Sequence, residues 1–185
     1  MDIIERTLSR FSELDIKRMV CYCGSCDCFL SNVLPEVYGK LLPFEIISIY
    51  QWMLEKVRAG ELEVKRPLRE KLAIHEFYYA SVVAPGFCDD LSEIYRIAGA
   101  EVVELEHNRE QGLSCGFATL ARKWNIPDLV KAQNRKYREI KDTWVKEVAL
   151  NCPRCYLAMV ATSWLQGIKL HYVPGQFALG VRGRH

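Results

Sequence analysis

Short apolar segments alternate with amphipathic segments along nearly the whole chain, and this alternation constrains the fold more than any other feature. Six apolar runs have the length of buried strands: 18–22, 44–49, 72–75, 101–105, 145–150 and 168–173. Helical periodicity predicts helices at 2–14, 29–38, 51–59, 89–99, 117–123, 127–141 and 156–165. Strands that alternate with helices indicate an α/β fold, a parallel sheet flanked by helices.

The chain also contains two segments of similar organisation. Residues 18–58 and 145–180 both read as strand, cysteine pair, helix and strand. Between them, the charged segment 61–69 is the best candidate for a linker, and 76–86 is expected to be a loop. We therefore expect a partial first repeat at 1–66 and a second domain at 67–185, packed together as one compact unit. A last helical turn is expected at 174–179.

Charge and hydropathy restrict the partners and the location. The 185 residues carry a net charge of +2, with acidic and basic side chains interleaved. This gives no electrostatic footprint for nucleic acid or for an anionic membrane. The first residues do not read as a signal peptide, and the longest uncharged run, 156–166, is too short for membrane insertion. We expect a soluble, cytoplasmic protein.

Eight cysteines point to a metal or to redox chemistry. In a reducing cytosol, clustered Cys-x-x-Cys pairs more often bind metals or exchange electrons than form structural disulfides. Most follow predicted strands, where parallel sheets place their ligand sites. The cysteines are Cys21, Cys23, Cys26, Cys28, Cys88, Cys115, Cys152 and Cys155.

These motifs resemble those of the cysteine-rich CCG-domain proteins. That family includes the cluster-binding subunits of heterodisulfide reductases and the iron–sulfur subunits of glycolate- and lactate-oxidising enzymes. The resemblance covers nearly the whole chain. Its segments are 72–76, 99–110, Cys115-Gly116, Cys152-Pro153-Arg154-Cys155 and 171–180, with Cys23-Gly24-Ser25-Cys26 and 35–39 resembling the end of a preceding copy. It implies a parallel α/β fold and an iron–sulfur cluster.

Two family ligands are absent. Tyr78 stands where the family has its first cysteine, and Ser114 stands where the first cysteine of Cys-Cys-Gly is expected. A five-cysteine non-cubane cluster therefore cannot be built here in the way the family builds it. Three ligands of such a site remain.

Several interpretations of the cysteines stay open. Cys115, Cys152 and Cys155 can hold three corners of a cubane cluster or a zinc ion, with Cys88 as a fourth ligand. They can also be buried relics of an ancestral site, or Cys152 and Cys155 can act as a thiol–disulfide pair. A second metal site would use Cys23 and Cys26 as the main ligands, together with Cys21 or Cys28. By contrast, we expect three histidines near strand ends to be hydrogen-bonded polar residues: His75, His107 and His171.

The leading expectation is a heterodisulfide-reductase-like iron–sulfur redox subunit, an oxidoreductase component if it is active. It would transfer electrons or handle thiols and disulfides within a larger complex. The sequence has no Gly-x-Gly-x-x-Gly fingerprint, so flavin-containing or ferredoxin-like subunits would supply the electrons, and a homo-oligomer is a further expectation. The alternatives are a degenerate, non-catalytic structural subunit and a zinc-stabilised module.

Overall fold

Strands and helices alternate as the sequence predicted. The computed structural model describes residues 3–118, 125–172 and 181–183. The helices are α1 (Ile3–Ser12), α2 (Gly24–Cys28), α3 (Leu34–Tyr38), α4 (Ile49–Arg58), α5 (Tyr78–Val83), α6 (Pro85–Ile97), α7 (Ile126–Asp142) and α8 (Pro153–Ser163). The strands are β1 (Arg18–Cys21), β2 (Glu45–Ser48), β3 (Leu62–Val64), β4 (Lys71–His75), β5 (Glu101–Val103), β6 (Glu147–Leu150), β7 (Lys169–Tyr172) and β8 (Val181–Gly183).

The central sheet is parallel and has four strands in the order β5-β4-β6-β7. After β4 the chain crosses to β5 on one side, whereas after β6 it crosses to β7 on the other side. The carboxyl ends of β4 and β6 therefore flank a switch point, where open α/β sheets bind their ligands. The register places His75 at the end of β4 directly beside Leu150 at the end of β6.

A second parallel pair precedes this sheet. Strands β1 and β2 pair over their full lengths, from Arg18 beside Glu45 to Cys21 beside Ser48. The helical segment between them consists of α2, a π-helical stretch at Phe29–Val33, and α3. The unit resembles β6–α8–β7 in its order of elements, as expected. Strand β1 is more exposed than the buried strand we predicted, since only Cys21 is buried.

The hydrophobic core lies between the central sheet and its helices. Leu72 and Val148 contribute from the sheet, and both are fully buried. From the helices, Tyr95 of α6 and Met159 of α8 pack into the same core cluster. Tyr50 of α4 belongs to it as well, so the amino-terminal segment and the sheet share one core.

Secondary structure is present in two segments for which none was predicted, the candidate linker 61–69 and the loop 76–86. The expected linker contains β3, which pairs antiparallel with β8 across more than a hundred residues. Because the partner strand is so far away in the sequence, no local pattern of apolar residues predicts this pairing. The expected loop at 76–86 contains α5, and α6 begins at Pro85, four residues earlier than predicted, with the proline at a favourable first-turn position. Tyrosine and valine have modest helix propensity, and packing of the fully buried Ala80 stabilises α5.

Helix α7 begins near the predicted residue, and its apolar residues Leu129, Val130 and Ile140 were expected to face inward. Ile140 is fully buried, whereas Val130 is 41% exposed, and Lys136 and Tyr137 are buried as well. The predicted helix at 117–123 lies mostly outside the described residues, and the turn at 174–179 lies wholly outside them. Within the described ranges, none of the helices is long and apolar enough to cross a membrane.

Candidate metal centre

The candidate centre lies at the switch point between β4 and β6. Because His75 and Leu150 are paired, the residues that follow Leu150 leave the sheet beside His75. Cys152 has an extended backbone and caps α8, so Cys155 falls in the first turn of that helix. Strand register and helix start together place His75 and the Cys152–Cys155 loop at one edge of the sheet.

Cys115 approaches from the other side of β4, on the loop that follows β5. Its sulfur lies 3.2 Å from the sulfur of Cys155. Gly116 turns the loop with a φ of +82°, and its N–H donates to the Ser114 hydroxyl at 3.0 Å. Gln133 of α7 lies near the Cys115 carbonyl oxygen at 3.5 Å and donates to the Ala158 carbonyl at 2.6 Å. Helices α7 and α8 thus support the loop that presents Cys115.

His75 belongs to the same cluster. A ring nitrogen of His75 and the sulfurs of Cys115 and Cys155 all lie within 4.8 Å of one another, and all three residues are buried. Among the described residues, neither ring nitrogen of His75 has a hydrogen-bond partner of normal geometry. The side-chain amide of Asn151, next to Cys152, is likewise buried and unpartnered within the described part of the chain. Buried polar atoms of this kind point to a missing ligand or ion.

The pKa values of the three cysteine thiols differ because their sulfurs form hydrogen bonds with one another. The Cys155 thiol and the His75 ring lower the pKa of Cys115 well below its usual value, against the opposing effect of burial. The Cys155 thiol, together with backbone N–H groups at the start of α8, lowers the pKa of Cys152 to about 5. The pKa of Cys155 is raised well above its ordinary range, because its proton bridges to both neighbours and the site is buried. The thiolate form is therefore favoured at Cys115 and Cys152, and the thiol form at Cys155.

A cavity of about 840 Å³ opens at these sulfurs. Its wall is mostly apolar, with Phe11 of α1 and Phe77 among the aromatic side chains. The charged side chain among the described lining residues is Arg154, whose guanidinium lies 5.7 Å from the centre of the Phe117 ring. Cysteine sulfur is thus reached through an apolar cavity that carries one cation.

Of the four amino-terminal cysteines, only Cys26 is among the described residues that line the cavity. Cys26 lines the cavity, and the Ser25 hydroxyl beside it lies 3.9 Å from the Cys152 sulfur. Gly24 permits this approach, because an added Cβ would lie 2.7 Å from the Phe77 ring. Burial and the neighbouring Cys23 raise the pKa of Cys26.

Four of the predicted ligands are not among the described residues that line the cavity: Cys21, Cys23, Cys28 and Cys88. Burial raises the pKa of Cys21 to about 11 and that of Cys28 to about 12, and both are buried thiols. Cys88 is fully buried in α6 within the hydrophobic core, and Cys23 is half-buried at the start of α2. Their role as ligands stays a prediction.

A buried ion pair holds the loop that leads to Cys115. Glu76 follows His75 and is 4% exposed, and its carboxylate accepts hydrogen bonds from the backbone N–H and the guanidinium of Arg109. Arg109 also pairs with Asp89 of α6 at 2.9 Å and has a φ of +50°. Arg109 therefore ties the cysteine loop to the end of β4.

Sequence reasoning missed His75. We expected three hydrogen-bonded histidines, and two of them fit: His107 lies 3.2 Å from Glu139, and His171 lies 2.5 Å from Glu147. The expectation was wrong for His75. Its position at the end of a buried strand was the available signal, but only the strand order shows that this end adjoins the cysteines.

The site and the sheet define a class: a parallel α/β protein with a cysteine-rich centre at the carboxyl ends of its strands. Residues 84–160 match the cysteine-rich domain family CCG, a segment that contains Cys88, Cys115, Cys152 and Cys155. The match covers less than half of the chain, and it confirms the resemblance to the CCG cysteine-rich domain expected from the motifs.

Curated relatives agree with this class at low identity. The chain is 25% identical to EtfAB:quinone oxidoreductase of Syntrophomonas wolfei over 86% of its own length and 22% of that protein. It is 24% identical to a subunit of the dihydromethanophenazine:CoB–CoM heterodisulfide reductase of Methanosarcina barkeri, over 84% of this chain and 39% of that one. It is also 25% identical to the probable iron-sulfur-binding oxidoreductase FadF of Bacillus subtilis, over 62% of this chain and 16% of that protein. The chain thus spans less than half the length of each of these relatives.

The donor set suits a thiophilic metal. Cysteine thiolates and imidazole are ligands of zinc and of iron–sulfur clusters. Donors on one tetrahedral zinc ion lie about 3.5–3.8 Å apart, given metal–ligand distances of about 2.0–2.3 Å, so the observed spacing suits a single ion with small shifts. In a cubane cluster each cysteine binds its own iron, and the sulfurs of Cys115 and Cys155 would have to separate. The adjacent cavity provides room for that movement.

Proposed function

We propose that the protein is an iron–sulfur redox subunit of heterodisulfide-reductase type, which transfers electrons or handles thiols and disulfides within a larger complex. The observation that carries this proposal is the convergence of Cys115, Cys152 and Cys155 at the switch point of a CCG-type sheet. The names of the relatives, all oxidoreductases, support the same class of activity.

In this proposal Cys115, Cys152 and Cys155 hold the cluster, which stores and releases single electrons when bound. The lowered pKa values of Cys115 and Cys152 keep their sulfurs deprotonated, as metal ligation requires. The cysteines are nearly buried, and the apolar wall of the cavity limits the water around their sulfurs. Glu76 and Arg109 keep the Cys115 loop in place.

A thiol- or disulfide-containing substrate would reach the centre through the cavity. Its apolar wall favours a compound with an apolar part, and Arg154 favours one that also carries a negative charge. Such a substrate would contact the sulfurs of the centre directly, with its anionic group at Arg154.

The proposed partners are flavin-containing or ferredoxin-like redox subunits. The chain covers only part of each of these relatives. Exposed apolar side chains, including Leu157 at 68% and Trp164 at 70%, lie along and just beyond α8, the helix that carries Cys155. We also propose a cytoplasmic location, a division into the segments 1–66 and 67–185, and the ability to form a homo-oligomer.

A zinc-stabilised module is the second candidate function. The 3.2 Å separation of two sulfurs, with a histidine nitrogen nearby, suits one tetrahedral ion after small shifts of the side chains. Zinc has no redox chemistry, so this candidate assigns the centre a structural role.

One experiment separates the candidates. The protein is purified anaerobically, and iron, sulfide and zinc are measured per chain together with the visible spectrum. The proposal expects iron and sulfide in the wild type, their loss in Cys152→Ser, and their retention in the control Ser9→Ala, at an exposed position of α1. Zinc without sulfide would favour the second candidate. Protein free of iron, sulfide and zinc, after reconstitution as well, would leave only the degenerate structural subunit.

A further inference from the structure

We propose that His75 is the fourth protein ligand of the metal centre and binds through a ring nitrogen beside Cys115, Cys152 and Cys155. This inference rests on the proposed function and makes the donor set three sulfurs and one nitrogen. It applies to an iron of a cluster and to a zinc ion alike, and the experiment has an arm for each.

The burial of His75 is the first argument. The side chain is 0% exposed, and neither ring nitrogen has a hydrogen-bond partner of normal geometry among the described residues. An imidazole removed from water without such partners is unfavourable, so this arrangement requires a compensating interaction. A bond from nitrogen to metal supplies one.

Geometry is the second argument. The ring nitrogen lies within 4.8 Å of the sulfurs of Cys115 and Cys155, close to the separation of donors on a common ion. The backbone position of His75 is fixed, because β4 pairs with β6 at this residue. His75 therefore reaches the cysteines from the sheet, whereas the cysteines come from two loops.

The composition of the site also favours a histidine ligand. The family motif has a cysteine where this chain has Tyr78, three residues after His75. A histidine ligand restores a fourth donor without restoring the charge of a thiolate. Replacing thiolate by imidazole raises the reduction potential of an iron–sulfur centre. The centre is therefore expected to accept electrons more readily than an all-cysteine one.

The test uses direct detection of the nitrogen. Wild-type protein with ¹⁵N-labelled histidine is reconstituted anaerobically with iron and sulfide, reduced, and studied by pulsed electron paramagnetic resonance. A second sample is titrated with Co²⁺, whose visible bands report nitrogen and sulfur ligands in a zinc-type site. Matched variants are His75→Ala, His75→Cys and the control His107→Gln, whose histidine pairs with Glu139.

We expect histidine-nitrogen coupling in the wild type and in His107→Gln, and its loss in both His75 variants. His75→Ala should bind Co²⁺ at least about tenfold more weakly. His75→Cys, with a thiolate in place of imidazole, should bind the metal again with bands typical of four sulfurs. If circular dichroism shows that His75→Ala does not fold, the loss of nitrogen coupling is judged on His75→Cys instead.

The two proposals fail in different ways. Wild-type protein that takes up neither iron nor Co²⁺ would overturn the proposed centre itself. Wild-type protein that binds metal without nitrogen coupling, while His75→Ala keeps its affinity, would overturn only the role of His75. In that case the ring serves as a neighbour that stabilises the Cys115 thiolate.

Discussion

Gly116→Ala tests whether the cysteine loop has the conformation described above. Gly116 has a φ of +82°, in the left-handed region, and it follows Cys115 directly. A Cβ added there would lie 2.7 Å from Leu129 Cδ1 and 3.1 Å from the Leu129 carbonyl oxygen. The first contact is with a side chain that can move, whereas the second is with the backbone of α7.

The expected cost has two parts. A residue other than glycine in the left-handed region costs roughly 1–2 kcal/mol. Overpacking against Leu129 adds about 1–3 kcal/mol, so the free energy of unfolding should fall by about 2–5 kcal/mol in total. Gly39→Ala is the matched control: Gly39 has a φ of +62°, and an added Cβ would have no described heavy atom within 4 Å. Only the first part applies to the control.

Urea unfolding of metal-free, reduced protein measures both variants. The alanine also restricts the unfolded chain by roughly 0.4–1 kcal/mol, but this effect is common to both and cancels in their difference. We expect Gly116→Ala to lose about 1–3 kcal/mol more than Gly39→Ala. Equal losses in the two variants would refute the described packing of the loop against α7.

Three further predictions follow from the surroundings of the site. Arg109→Met leaves the buried carboxylate of Glu76 without its guanidinium, so urea unfolding should show a loss of about 3–5 kcal/mol; a loss below about 1 kcal/mol would contradict the ion pair. Burial raises the pKa of Asp27 to about 6, above its unfolded value of 3.8. The stability associated with its proton is present below pH 3.8 and lost as the pH rises through 6. Asp27→Asn should therefore stabilise the protein by about 1–3 kcal/mol at pH 8 and hardly at all near pH 4; a gain independent of pH would argue against this. Finally, diamide should oxidise metal-free protein first at Cys115 and Cys155, whose sulfurs are 3.2 Å apart, with two electrons and two protons passing to diamide; peptide mapping that finds another disulfide first would contradict this.

Much of the fold could be predicted from the sequence, because its signals are local. The apolar runs of β4 and β6 and the helical periodicity of α4 are visible within ten residues. The glycine that ends a helix is also a local signal, and Gly60 follows α4 with a φ of +71°. Pairing between β3 and β8 depends on segments more than a hundred residues apart, and no local pattern indicates it.

The site was predictable in part for the same reason. Cys152 and Cys155 share one motif, and Cys115 follows a recognisable strand, so these three were identified. His75 required knowledge of strand order, since it reaches the cysteines only because β4 lies beside β6. The buried face of α7 was predicted only in part, because Lys136 is polar by type yet buried as an ion pair with Glu139 at 2.9 Å.

Ser114 shows how the loop can persist without the first cysteine of its Cys-Cys-Gly motif. Its hydroxyl accepts the Gly116 N–H at 3.0 Å, a bond that closes the turn on which Cys115 lies. A serine oxygen accepts such a bond better than sulfur does, so the substitution exchanges a potential ligand for a better-fixed loop. A loop fixed in this way, together with the Glu76–Arg109 pair, holds the Cys115 sulfur close to both Cys155 and His75. The site thus lacks two cysteines of the family pattern, while the loop that presents Cys115 keeps its hydrogen bond and its ion pair.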